Sequence, residues 1–314
     1  MKCLICYKPL DKSEKDYHKK CLKKEFGLNQ MPLIDIDETK LKNYAKNLIE
    51  SNIAITGVQP KLSLWLENSK QNIRFTIVDN KSNFIIKPQS KIYKHLPENE
   101  DLCMHLASEL KIKTAKHSLV RLPSGNLAYI TQRFDRKNDK KLASEDLCQL
   151  SETLTEHKYR ASYEKIGKII RKYSTHYGFD VLNYFELVVF NFIIGNADMH
   201  LKNFSMIEDF DGSFTLSPAY DLLSTFLVIE NEDEQMCLTI NGKKNKIKLQ
   251  DFDILASNLS LNEKQKQNIY QKFIKKEKSI KWWIKNSFLP ENHKEKLQNL
   301  IDIRMKILNT KASR

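Results

Sequence analysis

Gly195-Asn-Ala-Asp-Met-His-Leu-Lys-Asn203-Phe204 is the stretch that decides the fold, because it follows a nearly continuous apolar run. It places a carboxylate, Asp198, five positions before a carboxamide, Asn203. A second carboxylate follows at the end of Ser217-Pro-Ala-Tyr-Asp221. Carboxylate and amide oxygens are the ligands that Mg²⁺ prefers. The stretch therefore predicts a polar loop between a buried helix and a polar hairpin, with oxygen ligands for a divalent cation.

Phosphoryl transfer from ATP needs a small set of side chains of this kind. One carboxylate orients the incoming hydroxyl, and oxygen ligands hold Mg²⁺ across the β- and γ-phosphates. Asp198, Asn203 and the later Asp221 together meet this need. The Asp-x4-Asn spacing is that of the protein-kinase catalytic loop. By itself the spacing recurs by chance, and the alternative is that Asp198 caps a helix or turn.

Two charged residues upstream would complete such a site. Lys87 ends the apolar segment Phe84-Ile-Ile-Lys87, which predicts a strand whose terminal ammonium neutralises the α- and β-phosphates. Glu100 shares a predicted helix face with apolar residues, among them Cys103 and Ala107. A carboxylate on an apolar face needs a cation, because an unpaired buried charge is costly. We therefore expect Glu100 to pair with Lys87; the alternative is a solvated acid in the first helical turn.

A short loop lies between the first two predicted strands. Its sequence, Thr56-Gly57-Val58-Gln59-Pro60-Lys61, joins two predicted strands. Backbone N–H groups in such a turn can cradle a phosphate, and Lys61 would add a positive charge. The motif alone is equally typical of an ordinary hairpin turn.

Strand and helix signals divide the chain into a β-rich first half and a helical second half. Strands are predicted at 53–55, 62–66, 74–78, 82–87, 119–122 and 127–132, and helices at 40–50, 97–110, 163–173, 181–195 and within 251–311. Residues 226–250 are expected to hold an acidic loop and short strands. This order predicts an α+β fold with an N-lobe at 28–137, a helical C-lobe at 138–314 and a ligand cleft between them.

The first 27 residues contain a pattern of metal ligands. Cys3-x2-Cys6 is followed by His18-x2-Cys21, which gives two pairs of ligands within a 19-residue span. Each pair fits one tight turn, and two such turns complete a tetrahedral site of the kind zinc prefers. We predict a structural zinc knuckle over residues 1–27, since four protein ligands leave no position open for water. The alternative is a frayed N-terminus with reactive thiols.

Composition excludes several classes of protein. The chain has 314 residues, of which 41% are hydrophobic, so it can bury a sizeable core and is not a disordered chain. No run of 18 apolar residues occurs, so we expect no membrane span. The first residues lack the apolar stretch of a secretory signal, which predicts a cytoplasmic protein without disulfides. Cys103, Cys148 and Cys237 are then expected to be buried small hydrophobes.

The formal net charge of +13 is unevenly distributed. Residues 264–314 carry +10 and residues 1–27 carry +4. Such basic ends are typical either of an acidic partner or of solvated helix faces rich in lysine. Aromatic residues near the C-terminal end are predicted to form a helix core rather than stacking platforms; they are Phe273, Trp282, Trp283 and Phe288.

Taken together, these segments resemble the HipA family of serine/threonine kinases, the toxin half of HipA–HipB toxin–antitoxin systems. The matching segments are collinear over about residues 53–225: Gly57-Val-Gln-Pro-Lys61, Phe84-Ile-Ile-Lys87-Pro88, Glu98-Asn-Glu100, Gln132-Arg-Phe-Asp-Arg136, the Gly195–Phe204 stretch and Pro218-Ala-Tyr-Asp221. The short length and the start near Gly57 look most like the compact HipT form, in which a separate HipS-like protein supplies the missing N-terminal subdomain. The resemblance implies a two-lobed, protein-kinase-like fold.

The resemblance also implies a role for each matching residue. Asp198 would be the catalytic base, and Asn203 and Asp221 the Mg²⁺ ligands. Lys87, with Glu100, would hold the phosphates of ATP. The other nucleotide contacts would come from Thr56, Gly57, Val58, Gln59 and Lys61 in the loop, from the backbone of Gln132 and Phe134 as the adenine hinge, and from His200. Family members are silenced by phosphorylation of serines just before the loop glycine; here Thr56 is the hydroxyl at that place, and it becomes the candidate autophosphorylation site.

Cofactors and partners follow from the same resemblance. It implies ATP and Mg²⁺, a HipB-like DNA-binding antitoxin through which nucleic acid is reached, and an aminoacyl-tRNA synthetase as the substrate whose phosphorylation arrests translation. Residues Pro88–Leu96 would contact that substrate. The zinc knuckle is an addition that the resemblance does not explain. Two other interpretations stay open: a kinase-fold enzyme acting on a small molecule or lipid, and a non-catalytic zinc-knuckle module with a basic tail.

Overall fold

The computed structural model describes residues 1–32, 34, 61–68, 73–78, 82–137, 140–230 and 232–309. The predicted helix at 40–50, the predicted strand at 53–55 and loop residues 56–60 lie outside these ranges. The chain forms two compact units. The first comprises Met1–Asp101, Ala115–Asp139 and Asn286–Leu289, and the second comprises Leu102–Thr114, Lys140–Lys285 and Pro290–Arg314.

The first unit contains a five-stranded antiparallel sheet in the order β2-β1-β3-β5-β4. Its strands are β1 Leu62–Asn68, β2 Ile73–Ile77, β3 Phe84–Lys87, β4 His117–Arg121 and β5 Leu127–Gln132, and a two-residue strand, β6, follows at Arg136–Lys137. Buried side chains alternate with more exposed ones along β1, so that Leu62 and Leu64 join Phe84 and Ile86 in one apolar core. The five strands predicted within the described residues are confirmed to within two residues.

Helix α2, Leu96–Glu109, follows the third strand. It begins after His95, whose backbone is left-handed with φ 61°. Pro97 lies in its first turn, where the N–H that proline lacks would have no helical partner in any case. The first part of α2 belongs to the first unit and carries two fully buried carboxylates, Glu100 and Asp101.

Residues 1–27 belong to the first unit and pack against its edge strand, β4. Helix α1 spans Lys19–Phe26. The Tyr17 hydroxyl donates to the Leu119 carbonyl at 2.8 Å, and the His117 N–H donates to Glu25 Oε1 at 3.2 Å. Side chains of the N-terminal segment thereby satisfy backbone groups of β4 that an edge strand leaves exposed.

The second unit is mainly helical. Its helices are α3 Leu147–Leu150, α4 Tyr163–Tyr173, α5 Tyr177–Ile194, α6 Leu249–Asn258, α7 Glu263–Lys275, α8 Glu277–Asn286 and α9 Glu291–Asn309. Its strands are β7 Lys140–Lys141, β8 Ser144–Asp146, β9 Ser205–Glu208 and β10 Phe214–Leu216, of which the last three form an antiparallel sheet in the order β10-β9-β8. Cys103, Cys148 and Cys237 are buried, as expected.

Helix α5 is the central helix of the second unit. By length and composition it could cross a membrane, with a mean hydropathy of 1.3, but 72% of it is buried inside the protein. Arg304 of α9 donates a hydrogen bond to the Phe192 carbonyl of α5. Helix α5 therefore has the environment of a core helix.

Two expectations for the second unit are wrong. In the described part of residues 226–250, the chain makes only isolated bridges, such as that between Ile240 and Lys243, in place of strands. Left-handed backbone at Asn241 interrupts extended structure there. Trp282, expected in a core, is 37% exposed, because Ile280 and Ile284 define the buried face of α8 and residue 282 lies between them on the opposite side.

Candidate active site

A buried ion pair joins β3 to α2 in the first unit. Lys87 Nζ lies 2.6 Å from Glu100 Oε1, and the two side chains are 6% and 1% exposed. Lys87 pairs in register with Tyr129 of β5, and its ammonium lies 5.4 Å from the centroid of that ring. Charges buried this deeply depend on each other, because removing one leaves the other uncompensated. The pairing expected from the sequence is present.

The loop between β3 and α2 is anchored at both sides. Gln89 Nε2 donates to the Glu98 carboxylate at 2.9 Å and to the Leu127 carbonyl at 3.1 Å. Burial raises the pKa of Glu98 although the Gln89 hydrogen bond opposes that effect. Ile92, in the middle of the segment Pro88–Leu96 predicted to contact the substrate, is 68% exposed.

The predicted adenine hinge follows β5. The Gln132 N–H donates to the Lys116 carbonyl at 2.8 Å, so an adenine cannot use this donor unless that bond breaks. Phe134 lies half-buried in the turn that follows. Asp135 fixes this turn through an ion pair of 2.8 Å with Arg133. Although burial alone would raise it, the guanidinium groups beside Asp135 hold the pKa of its carboxyl below the usual value.

The predicted phosphate loop is described only at its end. Lys61 is exposed and directly precedes β1. Thr56, Gly57, Val58 and Gln59 lie outside the described residues. The roles of all five in phosphate binding, and of Thr56 in autophosphorylation, stay predictions.

In the second unit, Gly195 ends helix α5 and directs the chain toward Asp198. Its backbone is left-handed, with φ 74°, and its N–H reaches the last carbonyl groups of the helix. A Cβ at this position would lie 2.6 Å from Leu300 Cδ2 and 3.1 Å from Phe226 Cβ. The positive φ and the close approach both favour glycine here.

Polar side chains then hold the loop that carries Asp198. Asn196 Nδ2 donates to Asn191 Oδ1 at 2.8 Å, and Asn196 Oδ1 accepts from the Asp198 N–H at 3.0 Å. The Thr225 hydroxyl accepts from the Ala197 N–H at 2.9 Å. These contacts fix the backbone of Asp198 from two sides. Of these residues, only Asn196 could have been predicted from the sequence. A short polar side chain directly after the C-cap of a helix often forms hydrogen bonds with nearby backbone groups.

Asp198 and Asn203 are brought together by a short 3₁₀ turn, Leu201–Asn203. Asn203 Nδ2 donates to the Asp198 carbonyl at 2.9 Å, and the His200 N–H donates to the same carbonyl at 2.9 Å. Asn203 and His200 are each 6% exposed, and Asp198 is half-buried. Because its amide nitrogen is engaged, Asn203 is left with Oδ1 as the atom for a metal ion.

Tyr159 also contacts Asp198, and this contact was not predicted from the sequence. Its hydroxyl donates to Asp198 Oδ1 at 2.8 Å, and its ring lies edge-on to His200 with 5.0 Å between centroids. Burial and the Asp198 carboxylate raise the pKa of Tyr159, so the phenol stays a donor. Tyr159 is 39 positions from Asp198 in a segment without any motif, so no spacing rule could have identified it.

Asp221 follows β10 at the same end of the β9–β10 hairpin as Asn203. Because the two strands are antiparallel, the segment that enters β9 lies beside the segment that leaves β10. The Tyr220 hydroxyl donates to the Lys202 carbonyl at 2.8 Å and ties these segments together. Asp221 has a left-handed backbone, with φ 59°, a conformation that Asp adopts more readily than most non-glycine residues.

The donor atoms in this region suit magnesium. Asn203 offers an amide oxygen and Asp221 a carboxylate, and Mg²⁺ binds through one or two such oxygen ligands together with substrate phosphates. Neither residue contributes a sulfur or imidazole, which would favour a softer ion. The two residues predicted as magnesium ligands therefore fit the ion chemically.

The four N-terminal ligand candidates come together in the first unit. The ligand atoms of Cys3, Cys6, His18 and Cys21 all lie within 4.8 Å of one another. His18 Nδ1 lies 3.3 Å from Cys6 Sγ and 3.7 Å from Cys21 Sγ. Its Nε2 lies 2.9 Å from the Pro9 carbonyl, which orients the ring so that Nδ1 faces the sulfurs.

The chemistry of this cluster fits a closed zinc site. Three sulfurs and one imidazole nitrogen form a donor set that Zn²⁺ takes in structural sites. A hydrogen bond from the Cys6 thiol lowers the pKa of Cys3, which favours the thiolate form that binds a metal ion. The alternative of a frayed N-terminus does not hold for the described residues, because Cys3 is fully buried and Leu22 of α1 is packed in the same core.

Several known proteins are similar to the chain in sequence, in fold or in both. Residues 53–281 match the HipA-like C-terminal domain. The chain is 33% identical over 245 residues to the "Putative kinase Y4dM" of Sinorhizobium fredii, covering 73% of the chain and 58% of that relative. It is 24% identical over 288 residues to a "Putative kinase" of Haemophilus influenzae, covering 83% of each. It is 27% identical over 212 residues to the "Serine/threonine-protein kinase toxin HipA" of Shewanella oneidensis, covering 61% of the chain and 47% of the toxin.

Two solved structures share the α+β fold. The Shewanella oneidensis HipA, solved in complex with HipB and its operator DNA, has a TM-score of 0.67 at 22% identity, covering 82% of the chain and 66% of that protein. The Helicobacter pylori proinflammatory kinase CtkA has a TM-score of 0.56 at 17% identity, covering 79% of the chain and 94% of that protein. The domain match extends over more than half of the chain, which therefore belongs to the family of proteins with a HipA-like C-terminal domain.

Proposed function

We propose that the chain is an ATP- and Mg²⁺-dependent serine/threonine protein kinase and the toxin of a HipA-type toxin–antitoxin system. The observation that carries the proposal is the Asp198 loop, in which the Asn196 side chain holds the backbone N–H of the half-buried Asp198 and the Asn203 amide donates to its carbonyl. The buried pair of Lys87 and Glu100 supplies the second element that a kinase requires. The kinase names of similar proteins support the same reaction.

Each residue of the proposed site has a chemical task. The Lys87 ammonium neutralises charge on the α- and β-phosphates, and Glu100 holds that ammonium in place. Asn203 and Asp221 would hold Mg²⁺, which when bound neutralises charge on the β- and γ-phosphate oxygens. Asp198 accepts the proton of the substrate hydroxyl while the hydroxyl oxygen bonds to the γ-phosphorus and the bond to the ADP oxygen breaks.

Substrate and partners are proposed from the family resemblance. We infer a serine of an aminoacyl-tRNA synthetase as the acceptor, with translation and growth arrested as the result. The exposed segment around Ile92 is the surface proposed to contact it. A HipB-like antitoxin is proposed because the similar Shewanella oneidensis HipA is solved in complex with HipB and operator DNA. A HipS-like partner, autophosphorylation at Thr56 and action in the cytoplasm complete the proposal.

Zinc is proposed as a structural ion held by Cys3, Cys6, His18 and Cys21. The closeness of the four ligand atoms and the orientation of His18 by Pro9 support it. Metal analysis of the purified chain should give about one equivalent of zinc, and the double substitution Cys3→Ser/Cys6→Ser should remove it. Cys148→Ser, a change outside the cluster, should keep the metal. If the carefully purified chain contains no bound metal, the proposal of a structural zinc ion is wrong.

Incubation of the purified chain with labelled ATP, Mg²⁺ and a bacterial lysate tests the kinase proposal. We expect label on serine or threonine of protein, and its loss with EDTA and with Asp198→Asn, because removing the base costs a factor of about 10² or more in rate. Asp233→Asn, which changes an exposed carboxylate of the same unit, should act like the wild type. Label confined to lipid or small molecules would favour a different kinase-fold enzyme.

A further inference from the structure

The cysteine–histidine cluster is connected to the helix that carries Glu100. Tyr7 directly follows the ligand Cys6 and is fully buried, with 0% exposure. Its hydroxyl donates to Asp101 Oδ2 at 2.6 Å. Asp101 is the residue after Glu100 on α2 and is also 0% exposed. One hydrogen bond therefore joins the N-terminal segment to the turn that presents Glu100.

The geometry of the cluster determines where Tyr7 lies. The Tyr7 N–H donates to the Cys3 carbonyl at 2.9 Å, and the Cys3 N–H donates to the Lys8 carbonyl at 2.9 Å, so Cys3 and Cys6 belong to one tight turn. Tyr7 has a left-handed backbone, with φ 59°, which a non-glycine residue keeps only when its surroundings enforce it. A metal ion bound by Cys3 and Cys6 together with His18 and Cys21 would enforce this conformation of Tyr7.

Asp101 is held from two directions. Tyr7 occupies Oδ2, and His117 Nδ1 of β4 lies 2.8 Å from Oδ1. A buried carboxylate is costly unless its oxygens are hydrogen-bonded, so these two bonds stabilise one position of the Asp101 side chain. Because Glu100 is the adjacent residue of the same helical turn, fixing Asp101 also fixes the backbone that presents Glu100 to Lys87.

We propose that the metal-loaded N-terminal knuckle positions Glu100: the ion holds the Tyr7 turn, Tyr7 holds Asp101, and Asp101 fixes the α2 turn that pairs with Lys87. Tyr7 is thus a positioning residue that acts on Glu100 through Asp101. The consequence for ATP binding rests on the proposed kinase function, because a kinase needs its lysine–glutamate pair in place. The mechanical connection from the metal to α2 does not depend on that function.

Tyr7→Phe tests the connection with little disturbance of packing. The change removes one hydroxyl and keeps the ring, which packs edge-on to Phe288 at 5.1 Å between centroids. Tyr17→Phe is the matched control, because Tyr17 is a buried tyrosine of the same segment whose hydroxyl binds the Leu119 carbonyl of β4 instead of α2. Both variants should keep one equivalent of zinc. Tyr7→Phe should raise the KM for ATP about fivefold, whereas Tyr17→Phe should leave it within about twofold.

Hydrogen exchange supplies a readout that does not need catalysis. In the full chain, removing zinc with a chelator, or introducing Tyr7→Phe with zinc bound, should speed exchange of the amides of residues 98–101 about tenfold while β1 and β3 change little. If the chain unfolds as a whole when zinc is removed, the exchange rates of the zinc-loaded Tyr7→Phe variant provide the test. Should the wild type transfer no phosphate, the kinase proposal fails and the exchange data still test the positioning. Unchanged exchange at 98–101 in Tyr7→Phe, or a change equal to that of Tyr17→Phe, would overturn the proposal.

Discussion

Lys87 and Glu100 are the side chains whose separation should be most damaging to the proposed nucleotide site. Glu100→Gln keeps the shape of the side chain but removes the negative charge beside Lys87, a residue that is only 5% exposed. We expect the free energy of unfolding to fall by about 3–5 kcal/mol. We expect the affinity for ATP–Mg²⁺ to fall by about tenfold or more, because the lysine is no longer held. Denaturant titration and calorimetric ATP titration measure the two effects.

Glu67→Gln is the control for that experiment within the same sheet. Glu67 of β1 pairs with Arg74 of β2 at 2.6 Å, but the side chains are 42% and 60% exposed. An exposed pair contributes about 0–1 kcal/mol, so stability and ATP affinity should hardly change. Equal effects of the two substitutions would contradict a special role for the buried pair.

Tyr159 should compete with the substrate for the proposed base. Its hydroxyl donates to Asp198 Oδ1, the type of bond that a substrate hydroxyl would make. Tyr159→Phe removes this donor and keeps the ring against His200. We expect the KM for the protein acceptor to fall about threefold while kcat stays within about twofold. Steady-state kinetics measure both constants, and an activity loss as large as that of Asp198→Asn would instead make Tyr159 essential for orienting the base.

Single residues also show what the sequence can predict. Pairing of Lys87 with Glu100 was predictable, because a strand-terminal lysine and an acid on an apolar helix face each need a partner of opposite charge. Tyr159 was not, because its contact with Asp198 depends on how two distant segments pack. The engagement of the Gln132 N–H by Lys116 was equally hidden, since it arises from pairing between strands.

At the scale of elements, the end of α5 controls the loop that follows it. Gly195→Ala would place a Cβ at φ 74° and 2.6 Å from Leu300 Cδ2. We expect the free energy of unfolding to fall by about 2–3 kcal/mol, of which about 1–2 kcal/mol come from the left-handed backbone. Phosphotransfer should fall with it, because the residue sets the direction of the Asp198 loop. Thermal unfolding and the kinase assay are the measurements.

Gly212→Ala is the matched control for the crowding at Gly195. Gly212 lies in the turn between β9 and β10 with φ 79°, and nothing stands within 4 Å of the position of its Cβ. It shares the backbone strain and lacks the close approach, so its effect on stability should be about 1–2 kcal/mol without a loss of phosphotransfer. Equal loss of activity in both variants would contradict the role given to Gly195.

Elements with strong periodicity were predictable, and elements fixed by tertiary contacts were not. The apolar run before Gly195 predicted α5 from residue 181, four residues after its start at Tyr177, and strand and hairpin signals predicted β1 and β5 nearly to their ends. In residues 226–250, short apolar groups suggested strands, but the described chain turns at Asn241 and Lys246, where the backbone is left-handed. Asn tolerates that conformation, so its presence was a signal for a turn rather than a strand.

At the scale of the whole molecule, the family motifs predicted the fold because they occur in one order along the chain. The domain match over residues 53–281 and the fold shared with two solved structures agree with the α+β prediction. Packing of residues 1–27 on β4 was not predictable, since it rests on contacts such as that of Tyr17 with Leu119 between segments far apart in sequence. The spacing of Cys3, Cys6, His18 and Cys21 predicted their cluster but gave no indication of the Tyr7 bond to Asp101.

Phosphoproteomics of cells expressing the wild type or Asp198→Asn tests the proposed kinase activity most directly. We predict growth arrest and new serine or threonine phosphorylation, including a site on an aminoacyl-tRNA synthetase, with the wild type alone, because Asp198 is the proposed base. Identical phosphoproteomes together with growth arrest that persists in Asp198→Asn would contradict a kinase acting on protein.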